Sequence, residues 1–174
     1  GALFELYHAK KFDYETIVID TIDRFIDYAN EDVIERGKQK FTKLEINGIG
    51  DIPNGAGWNW ATQLISYALA KLESLPAAVV LVGHIKDAEI KEPTRSYHKS
   101  TITIGGKTGE NLLHWPDHTI NIEARFLGDK LQRILHTKPT QTRDAKSRGN
   151  VVPEGMAWGP DSKENYQAFR KLFD

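Results

Sequence analysis

The segment Tyr14–Asp23 reads YETIVIDTID, and it decides the predicted fold of this chain. Thr16 to Ile19 are four consecutive apolar or β-branched residues, and they predict a parallel strand that is buried on both faces. Asp20 follows directly, and a helical pattern of apolar residues begins behind it. In open α/β sheets, ligands bind outside the carboxyl ends of the strands. Asp20 is therefore predicted to lie at a ligand-binding edge.

An acid in this position is typical of a Walker B strand, whose carboxylate holds a phosphate-bound Mg²⁺ directly or through water. One alternative is a plain cap or turn residue. Asp23 lies on the first turn of the next helix, where an acid favours the helix dipole. A third hypothesis is an unrelated phosphate-handling α/β enzyme with Asp20 and Asp23 as paired acids around a metal. The sequence contains no GxxxxGK[ST] phosphate loop, and only residues 1–13 precede this segment.

The chain around this strand predicts a strand–helix–helix–strand unit. A helix is expected over about 22–37, with Gly37 as its end, and a Gly-rich loop over 42–57 separates it from a second helix over about 58–74. The apolar run in 77–83 then predicts a second fully buried strand. Strands connected in this way form a right-handed parallel crossover.

His84 follows the second strand directly. The carboxyl ends of parallel neighbours meet at one sheet edge, where α/β nucleotidases keep a polar sensor for the γ-phosphate. An imidazole can donate a hydrogen bond to a phosphoryl oxygen. The alternative is a histidine with a purely structural role.

The polar stretch over 86–100 predicts a solvated loop without a helical face. Positive charge beside Tyr97 in a mobile loop suits single-stranded nucleic acid, whereas interleaved acids nearly cancel that charge and leave an ordinary solvated loop as the alternative. The basic candidates in or beside this stretch are Lys86, Lys91, Arg95, Lys99 and Lys107.

The remaining sequence predicts short antiparallel strands and a final helix. Strands are expected over 100–104, 119–126 and 131–137, the last two joined by a Gly-Asp hairpin turn, and a helix over 163–173. Together with the parallel unit they predict one mixed sheet. Residues 105–108, GGKT, look like the tail of a phosphate loop, but Thr stands where its first Gly belongs, so a turn is predicted there.

Lys146 and Arg148 lie two residues apart in the segment DAKSRG, 144–149. In an extended segment both can reach one ligand: Arg offers a planar fork for phosphate oxygens and Lys a point charge. Such a pair can act on the nucleotide of a neighbouring subunit. The alternative is a solvated basic loop.

The composition indicates one folded domain of 174 residues with a net charge of −1 and no cysteine. No disulfide or thiolate chemistry is possible, and a reducing cytoplasm is expected. No apolar run is long enough to span a membrane. The four tryptophans, at 58, 60, 115 and 158, are interpreted as core or loop anchors rather than a stacking platform.

Taken in order, these segments resemble phage-type RecA-like ATPases, the AAA-labelled phage nucleotide-binding proteins that include RecA-like single-strand annealing proteins. The resemblance covers most of residues 12–174. The matching segments are TIVIDTID at 16–23, GAGW at 55–58, VLVGHIKD at 80–87, WPDH at 115–118, KPT at 138–140 and DAKSR at 144–148.

The resemblance implies a RecA-like P-loop NTPase core over residues 1–174, three-layered and mostly parallel, with antiparallel edge strands. It implies ATP and Mg²⁺ as cofactors and head-to-tail assembly into a ring or filament. Asp20 would match the Walker B acid and His84 the sensor, with Lys146 and Arg148 acting in trans. The loop after His84 would face DNA. The first strand, the phosphate loop and the upstream glutamate that activates water have no match in this sequence.

The expected function is ATP binding and hydrolysis in DNA recombination, replication or repair in a bacterial host cytoplasm. Hydrolysis is expected of the intact protein rather than of this chain alone, because the phosphate loop is missing from it. The alternative is a non-catalytic oligomerisation or single-stranded-DNA-binding module with a RecA-like fold.

Overall fold

The computed structural model of the chain describes residues 2–150, 152–159 and 162–171. Contacts along the chain define two compact units, an N-terminal unit of residues 1–84 and a C-terminal unit of residues 85–174. Two such units can belong to one domain, so a single domain over the whole chain stays a prediction. Within the described residues, no helix is both long and apolar enough to cross a bilayer.

The N-terminal unit has the predicted strand–helix–helix–strand order. Strands β1 and β2 are parallel neighbours, with Asp20 opposite Val82 at their carboxyl ends. The prediction of a parallel pair with a helical crossover is therefore confirmed. The elements are α1 (Ala2–His8), β1 (Thr16–Asp20), α2 (Ile22–Lys40), two 3₁₀ turns (Ile49–Asp51 and Pro53–Gly55), α3 (Ala56–Glu73) and β2 (Ala78–Val82).

Helix α2 runs through Gly37 to Lys40, so the predicted helix end at Gly37 is wrong. Gly37 is buried, and a Cβ atom there would lie 2.9 Å from the Cδ1 atom of Ile52. The glycine thus lets the connecting loop pack closely against the helix. Ile52 and its loop neighbours Ile46 and Ile49 form a buried cluster with Val33 of α2 and Ala61 of α3.

Strands β1 and β2 are not buried on both faces as predicted. Side chains alternate between half-buried and exposed along each strand. Val18, Val80 and Val82 are 57%, 43% and 40% exposed, respectively. An apolar run predicts a strand, but burial of its second face requires further chain to cover it.

The C-terminal unit contains only antiparallel ladders among its described strands: β3–β4, β5–β8 and β6–β7–β9. Together with β1–β2, the described strands form four separate sheets, so the single mixed sheet expected from the sequence is not found among them. The mixed α/β composition is confirmed. The elements are β3 (Ile85–Glu92), β4 (Arg95–Ile102), α4 (Gly106–His114), β5 (His118–Thr119), β6 (Asn121–Leu127), β7 (Lys130–His136), β8 (Lys146–Ser147), a 3₁₀ turn (Arg148–Asn150), β9 (Met156–Trp158) and α5 (Ser162–Arg170).

The polar stretch over 86–100 is a long hairpin of β3 and β4, and its prediction as an irregular loop is wrong. Pro93 follows β3 in the two-residue turn, a position where its fixed φ angle is favourable. Arg95 Nε donates to Glu92 Oε2 at 2.7 Å across that turn. Charged side chains on both faces of these strands remove the alternation of apolar and polar residues that predicts a strand. Such charges are common on the edge strands of sheets.

Three smaller predictions have clear outcomes. The hairpin of β6 and β7 is confirmed, and Gly128 in its turn has a φ angle of 63°. The GGKT segment opens helix α4 instead of forming a separate turn. Helix α5 confirms the predicted final helix as far as Arg170, and the predicted residues 172 and 173 lie outside the described residues.

The tryptophans of helix α3 differ in burial. Trp60 is half-buried and packs against the cluster around Ile52, as an anchor should. Trp58 is 60% exposed, so its interpretation as a core anchor is wrong.

Candidate functional site

The carboxyl ends of β1 and β2 bring three of the predicted site residues to one edge of the N-terminal unit. Asp20 is the last residue of β1, and its side chain is exposed. Thr21 caps helix α2 by accepting a hydrogen bond from the Arg24 backbone N–H at 3.4 Å, and the Asp20–Thr21 peptide bond is cis. Asp20 therefore lies where the strand ends and the positive end of a helix begins.

Asp23 and His84 are in direct contact, although 61 residues separate them in sequence. Asp23 Oδ2 accepts a hydrogen bond from the His84 backbone N–H at 3.1 Å and lies 3.2 Å from His84 Nδ1. The Asp23 side chain is 25% exposed and that of His84 is 68% exposed. Asp23 thus holds both the backbone and the ring of the predicted sensor.

These residues fit part of a magnesium–phosphate site. Mg²⁺ prefers oxygen ligands and is commonly held by one or two carboxylates, waters and substrate phosphates, and Asp20 offers an exposed carboxylate of that kind. In the part of the chain that the structure describes, no three His, Cys, Asp or Glu side chains gather into a metal cage. A cation here would thus depend on a bound phosphate as well as on Asp20.

Lys146 and Arg148 both contact the segment that joins α4 to β5. Lys146 Nζ donates to the His114 backbone carbonyl at 2.8 Å, which lies in the last turn of α4. Arg148 Nη1 is 2.5 Å from Asp117 Oδ1, with both side chains largely exposed. The structure therefore brings these two cations to one short segment of the C-terminal unit. To act in trans, each side chain would have to leave its contact with that segment.

The basic candidates for nucleic acid binding mostly have partners within the C-terminal unit. Lys86 Nζ donates to the Thr103 carbonyl at 2.8 Å, and Lys107 is exposed in the first turn of α4. The other three form ion pairs: Lys91 with Glu89 at 3.4 Å, Arg95 with Glu92 at 2.7 Å and Lys99 with Asp144 at 2.6 Å. Nucleic acid binding by this hairpin stays a prediction.

A partly buried cluster of ionisable side chains in the C-terminal unit was not among the sequence candidates. The His136 side chain is only 8% exposed; its Nε2 atom lies 3.0 Å from Glu123 Oε2 and its Nδ1 atom 2.8 Å from Glu154 Oε1. Both contacts are N–H donations only when both ring nitrogens carry protons. The Arg143 guanidinium lies 3.7 Å from Glu123 and 3.6 Å from Glu154.

Among the acids of this cluster, Glu154 has the most strongly shifted pKa. Burial is the largest single influence and raises its pKa, but hydrogen bonds from His136 and from the backbone N–H groups of Thr137 and Lys138 outweigh it and lower the pKa from 4.5 to about 2. The Thr137 and Lys138 donors lie 2.6 and 2.8 Å from Glu154 Oε2. The arrangement ties the end of β7 to the loop before β9 and is structural.

One contact of this cluster could have been predicted from the sequence, because the β6–β7 hairpin was predicted. The register places Asn121 opposite His136, so Glu123 is a diagonal cross-strand neighbour of that histidine on the same face. No local signal identifies Glu154 or Arg143, because each lies in a loop far along the chain.

The parallel strands β1 and β2 place Asp20 and His84 at their carboxyl ends, where ligands bind in open α/β sheets. A family model described as AAA domain matches residues 2–149, and the chain therefore belongs to the AAA domain family. This membership suggests nucleotide-binding ATPase activity and implies the use of a nucleotide and usually of Mg²⁺. No curated protein and no solved structure showed a significant match to the chain.

Proposed function

We propose that this chain is part of a phage-type RecA-like ATPase that binds and hydrolyses ATP with Mg²⁺ in DNA recombination, replication or repair. The contact between Asp23 and His84 is the observation that carries the proposal. It joins the first turn of the helix after β1 to the residues that follow β2. Both strand ends thus contribute polar groups to one ligand-binding edge.

Each residue at this edge has a role that follows from its chemistry. MgATP, when bound, supplies the phosphoryl group and the cation that neutralises its charge. Asp20 would hold the cation through its exposed carboxylate. With a proton on each ring nitrogen, His84 would donate to Asp23 through Nδ1 and to a phosphoryl oxygen through Nε2; with a proton on one nitrogen only, it would make one of these two donations. Asp23 is a positioning residue that fixes the orientation of that ring.

Lys146 and Arg148 would act on the nucleotide of a neighbouring copy in a head-to-tail ring or filament. The Arg148–Asp117 pair involves side chains that are 73% and 59% exposed. Exposed ion pairs contribute little stability, so the exchange of Asp117 for a phosphate would cost little. Lys146 would have to leave the His114 carbonyl in the same step.

ATP hydrolysis by the complete polypeptide that carries this sequence tests the proposal. Phosphate release at saturating MgATP should fall by about 100-fold in Asp20→Asn and in His84→Gln, because each removes charge stabilisation at the transferred phosphoryl group. Asp23→Asn should lower kcat with little change in KM, since it misplaces the ring of His84 without removing it.

Asp27→Asn is the matched control, because Asp27 is an exposed acid on the same helix, 3.6 Å from Arg24. It should leave hydrolysis unchanged. Wild-type hydrolysis by Asp20→Asn would contradict the assignment of the site.

The second candidate is a non-catalytic assembly or single-stranded-DNA-binding module with a RecA-like fold. It predicts the same sedimentation coefficient with and without MgATP. A nucleotide-dependent change in sedimentation would favour the ATPase instead.

A further inference from the structure

A cavity of about 420 Å³ lies within the C-terminal unit and is lined by the β3–β4 hairpin, strand β6 and the segment before β8. This volume is in the range of small-ligand sites, about 300–1,000 Å³. Two contacts join the hairpin to the segment before β8. The Ser100 backbone N–H donates to the Thr142 carbonyl at 2.8 Å, and Lys99 Nζ lies 2.6 Å from Asp144 Oδ1. The walls of the cavity are therefore connected within one unit.

Asn121, the first residue of β6, is a buried lining residue whose side-chain amide has no partner. It is only 7% exposed, and none of the residues that the structure describes forms a hydrogen bond with its side chain. Its amide atoms are not among the described polar atoms that are both unbonded and closed off from solvent, so they keep accessible surface in the cavity. The amide offers two donors and one acceptor, and burying such groups without partners is costly.

Arg143 is a second lining residue with unused donors. Its Nη1 atom lies 3.7 Å from Glu123 Oε2 and its Nη2 atom 3.6 Å from Glu154 Oε1, and both distances are too long for hydrogen bonds. Its Nε atom is buried, and no hydrogen-bond partner for it is found in the described part of the chain. The guanidinium is thus neutralised by two acids, but its N–H groups can still donate to an uncharged oxygen.

The charged side chains that line the cavity balance each other. Two are acids, Asp87 and Glu123, and two are cations, Arg125 and Arg143. A ligand with a single charge would be attracted by one pair and repelled by the other, so the lining favours an uncharged ligand. Two exposed isoleucines of the lining add apolar surface.

We propose that this cavity binds an uncharged ligand through an amide group of that ligand. The ligand carbonyl would accept hydrogen bonds from the Asn121 amide and the Arg143 guanidinium, and its N–H would donate to the Asn121 side-chain oxygen. A second amide complements an unpaired amide well because its donor and acceptor lie side by side, which allows two hydrogen bonds. Both a free small amide and the main chain of a peptide carry this group. None of the residues of the proposed nucleotide site takes part.

Nuclear magnetic resonance of the nitrogen-15-labelled chain can follow the side-chain NH₂ signal of Asn121 as a probe is added, without nucleotide. The probes are acetamide, acetate and acetamidinium, which have nearly the same shape and are neutral, anionic and cationic, respectively. Acetamide should shift the Asn121 signal with a dissociation constant on the order of 10 mM, as expected for so small a ligand. Each charged probe should bind at least about tenfold more weakly.

A blocked dipeptide, N-acetyl-alanine N′-methylamide, distinguishes the two sources of the amide. If the natural ligand is a peptide, the dipeptide should bind more tightly than acetamide, because its methyl groups can also contact Ile85 and Ile122. If the natural ligand is a free small amide, the dipeptide should bind no more tightly than acetamide.

Asn121→Leu removes the amide and nearly keeps the size of the side chain. It should abolish the acetamide-induced shift of the Ile122 backbone N–H signal. Its melting temperature without ligand should not fall, because leucine does not bear the cost of a buried, unpaired amide; a structural hydrogen bond at Asn121 would make it fall. Asn111→Leu is the matched control on α4, where Asn111 is exposed, and it should keep the acetamide response.

Asp87→Asn changes the charge of the lining and leaves the buried groups intact, since Asp87 is exposed. The lining then has one acid and two cations, so acetate should bind at least about threefold more tightly than it binds the wild-type chain. Asp129→Asn, in the exposed turn between β6 and β7, is the matched control and should leave acetate binding unchanged.

Four results would overturn the proposal. These are no shift of the Asn121 signal by acetamide or by the dipeptide, equal binding of the three probes, an unchanged acetamide response in Asn121→Leu, and no gain of acetate binding in Asp87→Asn. Failure of Asn121→Leu to fold, while Asn111→Leu folds, would contradict an unpaired amide and would also overturn it.

Discussion

Glu154 makes the stability of the C-terminal unit sensitive to acid. Its carboxylate accepts hydrogen bonds from His136 and from two backbone N–H groups, and these lower its pKa from 4.5 to about 2 despite its burial. Because the folded-state pKa lies below the ordinary value, this contribution is complete above about pH 5 and is lost as the pH falls towards 2.

The size of this effect follows from the pKa. Each pKa unit corresponds to about 1.4 kcal/mol, so a fall from 4.5 to about 2 sets an upper limit of about 3–4 kcal/mol. The Glu154 side chain is 30% exposed, and solvent screening reduces the expected contribution to about 2 kcal/mol. Arg125 and His136 also lower the pKa of Glu123, against its burial, which adds to the loss in the same direction.

Urea unfolding followed by circular dichroism between pH 2 and 6 measures this contribution. Glu154→Gln should lower the free energy of unfolding by about 2 kcal/mol at pH 6 and should flatten its decline below about pH 5. Glu110→Gln, an exposed substitution on α4, should change neither. An acid decline in Glu154→Gln as steep as in the wild-type chain would refute the role assigned to Glu154.

Three further substitutions test the packing and the surface contacts. Gly57→Ala should destabilise the chain by at least about 2 kcal/mol in urea unfolding, because a Cβ there would overlap the backbone carbonyl of Ile49; unchanged stability would mean that this close approach does not exist. Ile65 is a buried residue of α3, and Ile65→Ala should lower the free energy of unfolding by about 2–5 kcal/mol. Val18 lies on the exposed strand face, and Val18→Ala should lower it by under about 1 kcal/mol. Equal falls in melting temperature for the two variants would contradict the burial described. Arg148→Gln should change the melting temperature by no more than about 2 °C, and a larger fall would show that its surface ion pair has a structural role.

The order and type of the N-terminal elements could be predicted because their apolar patterns are strong. The runs that became β1 and β2 are too apolar for loops, and the helices between them carry regular apolar stripes. The burial of the strands could not be predicted in the same way, because an apolar run does not show whether a second layer covers Val18 and Val80.

The hairpin of β3 and β4 was missed because its strands lack a regular alternation of apolar and polar residues. Its strands carry charges on both faces, and a turn at Pro93 and cross-strand pairs such as Ile90 with Tyr97 determine its register. A search for apolar alternation finds nothing there. The sequence signal that indicates this hairpin is the turn at Pro93, which has Glu92 before it and the oppositely charged Arg95 after it.

The candidate site was predictable in part. Parallel strands place the residues that follow them at one edge, which led to Asp20 and His84. The role of Asp23 as the partner of His84 depends on how the α2 helix begins relative to the second strand end. That geometry depends on tertiary packing, and residue spacing along the chain does not contain it.

We propose that Asp20 holds a nucleotide-linked divalent cation at the carboxyl ends of β1 and β2. Mn²⁺ suits carboxylate sites that take Mg²⁺, and its free concentration can be followed by electron paramagnetic resonance. With the complete polypeptide and ATP, we expect a bound Mn²⁺ that Asp20→Asn removes and Asp27→Asn retains. Equal ATP-dependent Mn²⁺ binding by the wild-type and Asp20→Asn proteins would contradict it.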